Sequence, residues 1–130
     1  MTDLIEVKTA DLVGEQLAWA VAEAEGLDVH VAKPHYGTPA RVFVQYRGES
    51  TERCERYDPH ESWALGGRLI QQHQVNLHAP QTSDDCWAAW VTIRGKDFCH
   101  GGWQPLAAAC RAIVATKFGD TVQVPKELTP

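Results

Sequence analysis

Helical segments alternate with short strand-like runs along this chain, and that alternation limits the folds it can adopt. The patterns and boundary residues of a helix occur at about residues 11–25, 62–72 and 105–118. Short runs such as "LIEVK" and "CWAAWVTIR" have the composition of β-strands. The pattern predicts one α+β domain over residues 1–130, with three helices packed on a mainly antiparallel sheet of about 4–5 strands.

The remaining segments divide into strands, turns and a tail. Strands are predicted at 27–31, 42–46, 75–79 and 86–94, and "GKDF" at 95–98 is predicted to be a turn. The charged run "RGESTERCER" at 47–56 is predicted to be a hairpin turn or a mobile loop, and "TVQVPKELTP" an extended tail.

Composition and charge argue against several functions. A net charge of −5 disfavours double-stranded DNA as a partner, since such binding needs a basic face. Apolar runs are too short to span a membrane, and "MTDLIEVKTADL" lacks the features of a signal segment, so we expect a cytoplasmic protein. Four cysteines without C-x-x-C spacing and six dispersed histidines predict free thiols, no metal and no cofactor.

The motif "WALGGRLI" is the first candidate binding site. Two glycines inside a helix each cost about 1 kcal/mol relative to alanine, so Gly66 and Gly67 need a reason. One interpretation is a ligand site, in which Trp63 stacks on a ring, the glycines expose amides and Arg68 holds an anion. The other is a tight crossing of this helix over the protein's own sheet.

The motif "CHGGWQP" is the second candidate. Gly101, Gly102 and Trp103 precede a helix that is predicted to begin at Pro105, and helix N-termini attract anions. The glycines do not have P-loop or dinucleotide-site spacing, so a simple tight turn is the alternative.

Tryptophan is abundant, with five in 130 residues. Trp19 lies off the apolar stripe of the first helix, so it should contact a second layer, a partner or a ligand. Trp87 and Trp90 should point to opposite faces of their strand. At least one or two of these rings are therefore expected to line a small-molecule pocket or a protein interface.

Catalytic patterns are weak. The chain has no G-x-S-x-G or H-E-x-x-H motif, and its carboxylates fall mostly in predicted turns. The sequence therefore favours a binding protein over an enzyme without deciding the matter.

Three segments, residues 7–26, 56–77 and 105–128, resemble the NinX-like family of tailed-phage accessory proteins, whose activity is not established. The resemblance rests on L-x-W-A-V-A-x-x-E-G, Y-x-P-x-x-x-W-x-x-G-G-x-x-I and G-D-x-V-x-V-P. The matching residues are Leu17, Trp19, Ala20, Val21, Ala22, Glu25, Gly26, Tyr57, Pro59, Trp63, Gly66, Gly67, Ile70, Gly119, Asp120, Val122, Val124 and Pro125. The resemblance implies a phage or prophage origin and an accessory role in an infected bacterial host, and it supplies no catalytic residues.

Two functions are expected from these features. The first is sequestration, without catalysis, of a small anionic aromatic ligand such as a nucleotide or a nucleotide-derived host immune signal. The predicted ligand-binding residues are Trp19, Trp63, Gly66, Gly67, Arg68, Gly101, Gly102 and Trp103. The alternative is an inhibitor or adaptor that masks a host protein through exposed tryptophans. Hydrolysis of a nucleotide signal is a third hypothesis, and a homodimer could share a ligand site across its interface.

Overall fold

The computed structural model describes residues 3–47 and 52–129, and within them the chain forms three α-helices and eight β-strands. The helices are α1 (Gly14–Ala24), α2 (Trp63–His73) and α3 (Pro105–Phe118). The strands are β1 (Leu4–Lys8), β2 (Asp28–Ala32), β3 (Arg41–Tyr46), β4 (Arg53–Arg56), β5 (Asn76–His78), β6 (Trp87–Ile93), β7 (Lys96–Gly102) and β8 (Thr121–Pro125). The predicted α+β class and the three predicted helices are confirmed.

The strands form three small antiparallel sheets, ordered β1–β8, β2–β3–β4 and β5–β6–β7, where we expected one sheet of about 4–5 strands. The two three-stranded sheets are each built from strands that follow one another in the sequence. Helix α2 separates these two groups along the chain and each pairs locally, whereas β1 and β8 lie near the two ends of the described chain and pair with each other.

The predicted turn or loop at 47–56 needs a correction, because its described end is strand β4. Arg56 of β4 pairs with Phe43 of β3, and its guanidinium donates to both carboxylate oxygens of Glu15 at 2.6 and 2.8 Å. Charged residues are common on edge strands, which is why the run looked like a loop. Residues 48–51 of that prediction lie outside the described part of the chain.

Two other boundaries also differ from the prediction. The turn before β7 consists of Arg94 and Gly95, both with positive φ, and the strand already begins at Lys96. Two such residues form the tight hairpin turn that suits the twist of antiparallel strands. The predicted extended tail is extended only in its first half, which is β8 and pairs with β1 in a register that places Leu4 opposite Pro125, whereas Lys126–Leu128 form a short 3-10 helix.

Helix α3 lies at the centre of the core. Its neighbours include α1 and the strands β6 and β7, so it is buried on several sides. Its buried residues are Leu106, Ala108, Ala109, Cys110, Ala112, Ile113, Val114 and Ala115. Burial raises the pKa of the Cys110 thiol to about 12, which makes this cysteine a packing residue instead of a reactive one.

Glu25 has a structural role that accounts for its place in the family pattern. Its side chain is only 12% exposed and accepts hydrogen bonds from Gln72 Nε2 at 3.0 Å and from His73 Nε2 at 2.8 Å. These bonds connect the end of α1 to the end of α2.

Candidate functional site

The two glycine-bearing motifs meet in space. A Cβ on Gly66 of α2 would collide with the backbone oxygen of Pro59, and it would lie 2.6 Å from Cδ2 of Leu106 in the first turn of α3. Gly66 therefore has a packing role, but the close approach is to Pro59 and to α3 instead of the sheet that the packing interpretation predicted. The consequence is that the N-termini of α2 and α3 are neighbours.

A cavity of about 330 Å³ lies at this junction. Its lining consists of His60, Glu61, Trp63, Gln104, Pro105 and Leu106. Trp63 is the first residue of α2 and Pro105 the first of α3, so the positive ends of two helix dipoles lie beside the same space. This volume is at the lower end of the range of small-molecule pockets.

The first turns of the two helices differ in how their amides are used. Ser62 caps α2, because its hydroxyl accepts from the amide of Leu65 at 3.3 Å. The side chain of Gln104, which precedes α3, makes no cap hydrogen bond to any residue that the structure describes. The first-turn amides of α3 therefore have no side-chain cap, and an anion in the cavity could accept from them.

His60 supplies the most distinctive polar group of the cavity. Its side chain is 8% exposed, and its Nδ1 has no hydrogen-bond partner among the described residues. The distance from Nε2 to Glu61 Oε1 is 3.7 Å, which is too long for a hydrogen bond. Buried polar atoms are normally satisfied, so this unpartnered nitrogen is an exception among the described residues.

Burial sets the charge of His60. Desolvation lowers the pKa of His60 below its usual 6.5, and Arg56 acts in the same direction, while Glu61, Glu15 and Asp58 oppose it. The imidazole is therefore neutral at pH 7 and can donate or accept one hydrogen bond at each nitrogen, according to its tautomer.

Trp63 adds an aromatic surface to this polar setting. Its side chain is 59% exposed although it lines the cavity, so one part of the ring is open to solvent. A planar ligand could stack there while its charged end reached the amides of α3. The cavity therefore combines an aromatic surface with a buried imidazole and two helix N-termini.

The structure places the other predicted ligand residues elsewhere. Gly67 is open, since no described atom lies within 4 Å of a Cβ built on it, and Arg68 is exposed on α2. Trp103 is 75% exposed and directly precedes the lining residue Gln104. Trp63 is therefore the one predicted ligand-binding residue that lines this cavity. Gly66 does not line it but packs against the lining residue Leu106.

Gly101 and Gly102 contact an arginine of the protein itself. A Cβ on Gly102 would lie 2.8 Å from Nη1 of Arg111, and the same Nη1 donates to the carbonyl oxygen of Gly101 at 2.8 Å. Gly101 and Gly102 are the last residues of β7 instead of a tight turn, and Gly102 leaves room for this side chain to pass the end of the strand. The glycines are explained by packing without a ligand.

Trp19 lines a second and larger cavity of about 890 Å³ on another side of the molecule. A neighbouring cavity of about 320 Å³ shares three of its lining residues, Leu4, Trp19 and Glu23. Trp19 also packs partly against the hydrophobic core. Its position off the apolar stripe of α1 is therefore explained by a ring that is in contact with the core on one side and with this groove on the other.

Sequence reasoning missed His60, which it treated as one of six dispersed histidines. The residue lies three positions before Trp63, and this spacing was the one available signal. Its burial and its unpartnered nitrogen arise from the packing of α3 against the segment before α2, which the sequence pattern does not encode.

Residues 3–47 and 52–129 contain neither a cluster of metal ligands nor a membrane-spanning helix. No group of three or more His, Cys, Asp or Glu residues in these ranges could hold a metal ion. No helix in them is long and apolar enough to cross a membrane.

Acid should destabilise the protein in part through His60. Because the pKa of His60 is lowered in the folded state, the unfolded chain binds a proton more readily as the pH falls through 6.5. The contribution of His60 to stability is thus fully present above pH 6.5 and decreases as the pH falls toward its folded pKa. We expect the free energy of unfolding, measured by urea titration, to fall less between pH 7 and pH 5 in His60→Gln than in the wild type. An equal fall in both proteins would contradict this prediction.

Comparison with known protein families identifies a relationship. The family described as "Bacteriophage P22, NinX" matches residues 8–117. No curated protein matches the chain. The matched range includes Trp19, Gly66 and every residue that lines the cavity between α2 and α3.

Proposed function

This chain belongs to the bacteriophage P22 NinX family, and we propose that it is a phage accessory protein that binds and sequesters a small anionic aromatic ligand. The ligand is a nucleotide or a nucleotide-derived immune signal in the cytoplasm of the infected host, and binding occurs without catalysis. The observation that carries this proposal is the cavity in which Trp63 and the unpartnered Nδ1 of His60 lie beside two helix N-termini.

Each part of such a ligand has a counterpart in the cavity. The exposed face of Trp63 suits a nucleobase, because aromatic stacking is tolerant of the ring's identity. The uncapped first turn of α3 suits a phosphate. His60 Nδ1 suits a polar atom of the base or sugar, since a buried nitrogen gains a bond that it otherwise lacks.

The size of the cavity limits the ligand. With about 330 Å³ available, the site suits one ring system with one phosphate better than a long oligonucleotide. The net charge of −5 acts in the same direction, since it repels extended polyanions while the local helix dipoles favour a single anionic group.

Trp63→Ala should weaken nucleotide binding at least about tenfold while leaving the fold intact, because a largely exposed ring contributes little to the core. The test is calorimetry of the wild type and the variant against mononucleotides, dinucleotides and cyclic nucleotides. Tyr36→Ala is the matched control, since Tyr36 is an aromatic residue that is 93% exposed and does not line the cavity. Absence of binding by the wild type at about 0.1 mM of every nucleotide would refute the proposal.

The ligand itself can be sought without a panel. Protein purified gently from an infected host should release a ligand on denaturation, and mass spectrometry of that material would identify it. Recovery of a ring-bearing anion from the wild type but not from Trp63→Ala supports sequestration. Recovery of a hydrolysed form of the ligand, formed without added metal, would instead support the hydrolase hypothesis.

Exposed tryptophans favour a second candidate function, an inhibitor or adaptor that masks a host protein. Trp103 is 75% exposed and does not line the cavity, although the next residue, Gln104, does. Large exposed aromatic residues are typical anchors of protein interfaces. A host protein that is retained by the wild type and lost from Trp103→Ala, with no released small ligand, would favour this function over sequestration.

A further inference from the structure

The groove around Trp19 lies beside an open sheet edge. Three consecutive residues of β2, Val29, His30 and Val31, line the cavity of about 890 Å³. Side chains alternate between the two faces of a strand, so three consecutive lining residues place the backbone edge of β2 along the groove. None of the described β3 residues lines it, which puts the groove on the side of β2 away from β3.

The edge of β2 is free to accept another strand. Within residues 3–47 and 52–129, β2 pairs with β3 alone, in a register that places His30 opposite Phe43. Its outer edge therefore presents backbone N–H and C=O groups that are not part of a ladder. Such an edge is a template for an added strand, and β2 contains no proline that would block it.

The opposite wall of the groove offers an apolar and a charged contact. Leu4 is 51% exposed, and with Trp19 it forms the apolar surface that both cavities share. Glu23 stands one helical turn after Trp19 on α1 and lines both cavities. Glu23 is exposed in the groove, and its carboxylate forms no ion pair with another described residue, although Lys33 and Lys126 also line the groove.

We propose that this groove binds an extended peptide segment of a partner protein, which adds a strand to the outer edge of β2. The segment places an apolar side chain on Trp19 and a lysine or arginine side chain at Glu23. A strand is favoured over a helix because the groove is bordered by backbone along β2, and a basic residue is favoured because it supplies the counter-charge that Glu23 lacks. This site is separate from the nucleotide cavity, so either can exist without the other.

Selection of peptides tests the proposal directly. The full-length protein is screened with a library of random linear twelve-residue peptides. We expect enriched clones to alternate apolar and polar residues and to carry a lysine or arginine. In NMR spectra of the labelled protein, the synthetic peptides should shift the amide signals of Asp28–Ala32 in β2.

Three comparisons make the result decisive. Glu23→Lys should weaken the peptides about fivefold or more, and Glu61→Lys, an equal charge reversal at the other cavity, should leave their affinity unchanged. Trp19→Ala should weaken them at least about tenfold. Methylation of the peptide amides along one edge should abolish binding, and methylation along the other edge should not, because a single edge pairs with β2.

Several results would overturn the inference. The inference would be wrong if no enriched clone bound the wild type more tightly than Glu23→Lys. This outcome can be read even if Trp19→Ala does not fold. Peptides that bind equally well after methylation of either edge would show recognition by side chains alone. Amide shifts confined to α2 and α3 would show that the peptides occupy the other cavity.

Discussion

Gly66→Ala should lower the free energy of unfolding by about 2–3 kcal/mol, although alanine favours a helix by about 1 kcal/mol. The new methyl group would collide with the carbonyl oxygen of Pro59 and lie 2.6 Å from Cδ2 of Leu106. Leu106 could rotate, but the oxygen belongs to the backbone of a buried residue and can move only if the segment moves. Urea unfolding monitored by tryptophan fluorescence would measure the loss.

Gly67→Ala is the matched control, since it makes the same change one residue later in the same helix. No described atom lies within 4 Å of a Cβ at this position, so the methyl group meets open space. We expect a gain of about 0.5–1 kcal/mol from helix propensity. Equal effects of the two substitutions would contradict the assignment of Gly66 to packing.

The same substitution connects packing to the candidate site. Leu106 lines the cavity, so displacing it in Gly66→Ala changes a wall of the proposed nucleotide site. We expect Gly66→Ala to remain folded but to bind nucleotide poorly. Gly67→Ala should retain nucleotide binding. Gly66 therefore allows Leu106 to keep its position in the wall of the cavity.

The helices were predictable because their signals are local. Apolar spacing identified α1, and Pro105 and Gly119 marked the two ends of α3. The sheets were less predictable because strand pairing joins residues that are distant in sequence, as in the pairing of Leu4 with Pro125. The charged strand β4 was missed because the partner of Arg56 is Glu15 on α1, which no short window contains.

The candidate site shows a similar division. Trp63 and Gly66 were found because a glycine pair inside a helix is a visible anomaly. The two motifs proved to be neighbours only in the folded chain, and His60 is distinguished only by its burial and its unpartnered nitrogen. The pattern at Gly101 and Gly102 resembled a site for an external anion, whereas the contact there is Arg111 of the chain itself.

Arg111→Met should lower the free energy of unfolding by about 2–4 kcal/mol, because it removes the donors of a buried carbonyl. Arg111 donates from Nε and Nη2 to the carbonyl oxygen of Leu12, at 3.0 and 2.9 Å, and from Nη1 to that of Gly101 at 2.8 Å. Leu12 is 0% exposed, so its oxygen has no access to water as a replacement. One side chain thus joins α3 to the segment before α1 and to the end of β7.

The geometry of the guanidinium is what matters at this position. Arg111→Lys keeps the charge but cannot donate to two carbonyls in a fixed fork, so it should recover less than half of the lost stability. Arg68→Met is the matched control, since Arg68 is exposed on α2, and it should change the free energy of unfolding by less than about 0.5 kcal/mol. If Arg111→Met unfolded at the same urea concentration as Arg68→Met, the glycines before α3 would need another explanation, and an external anion would again be the stronger one.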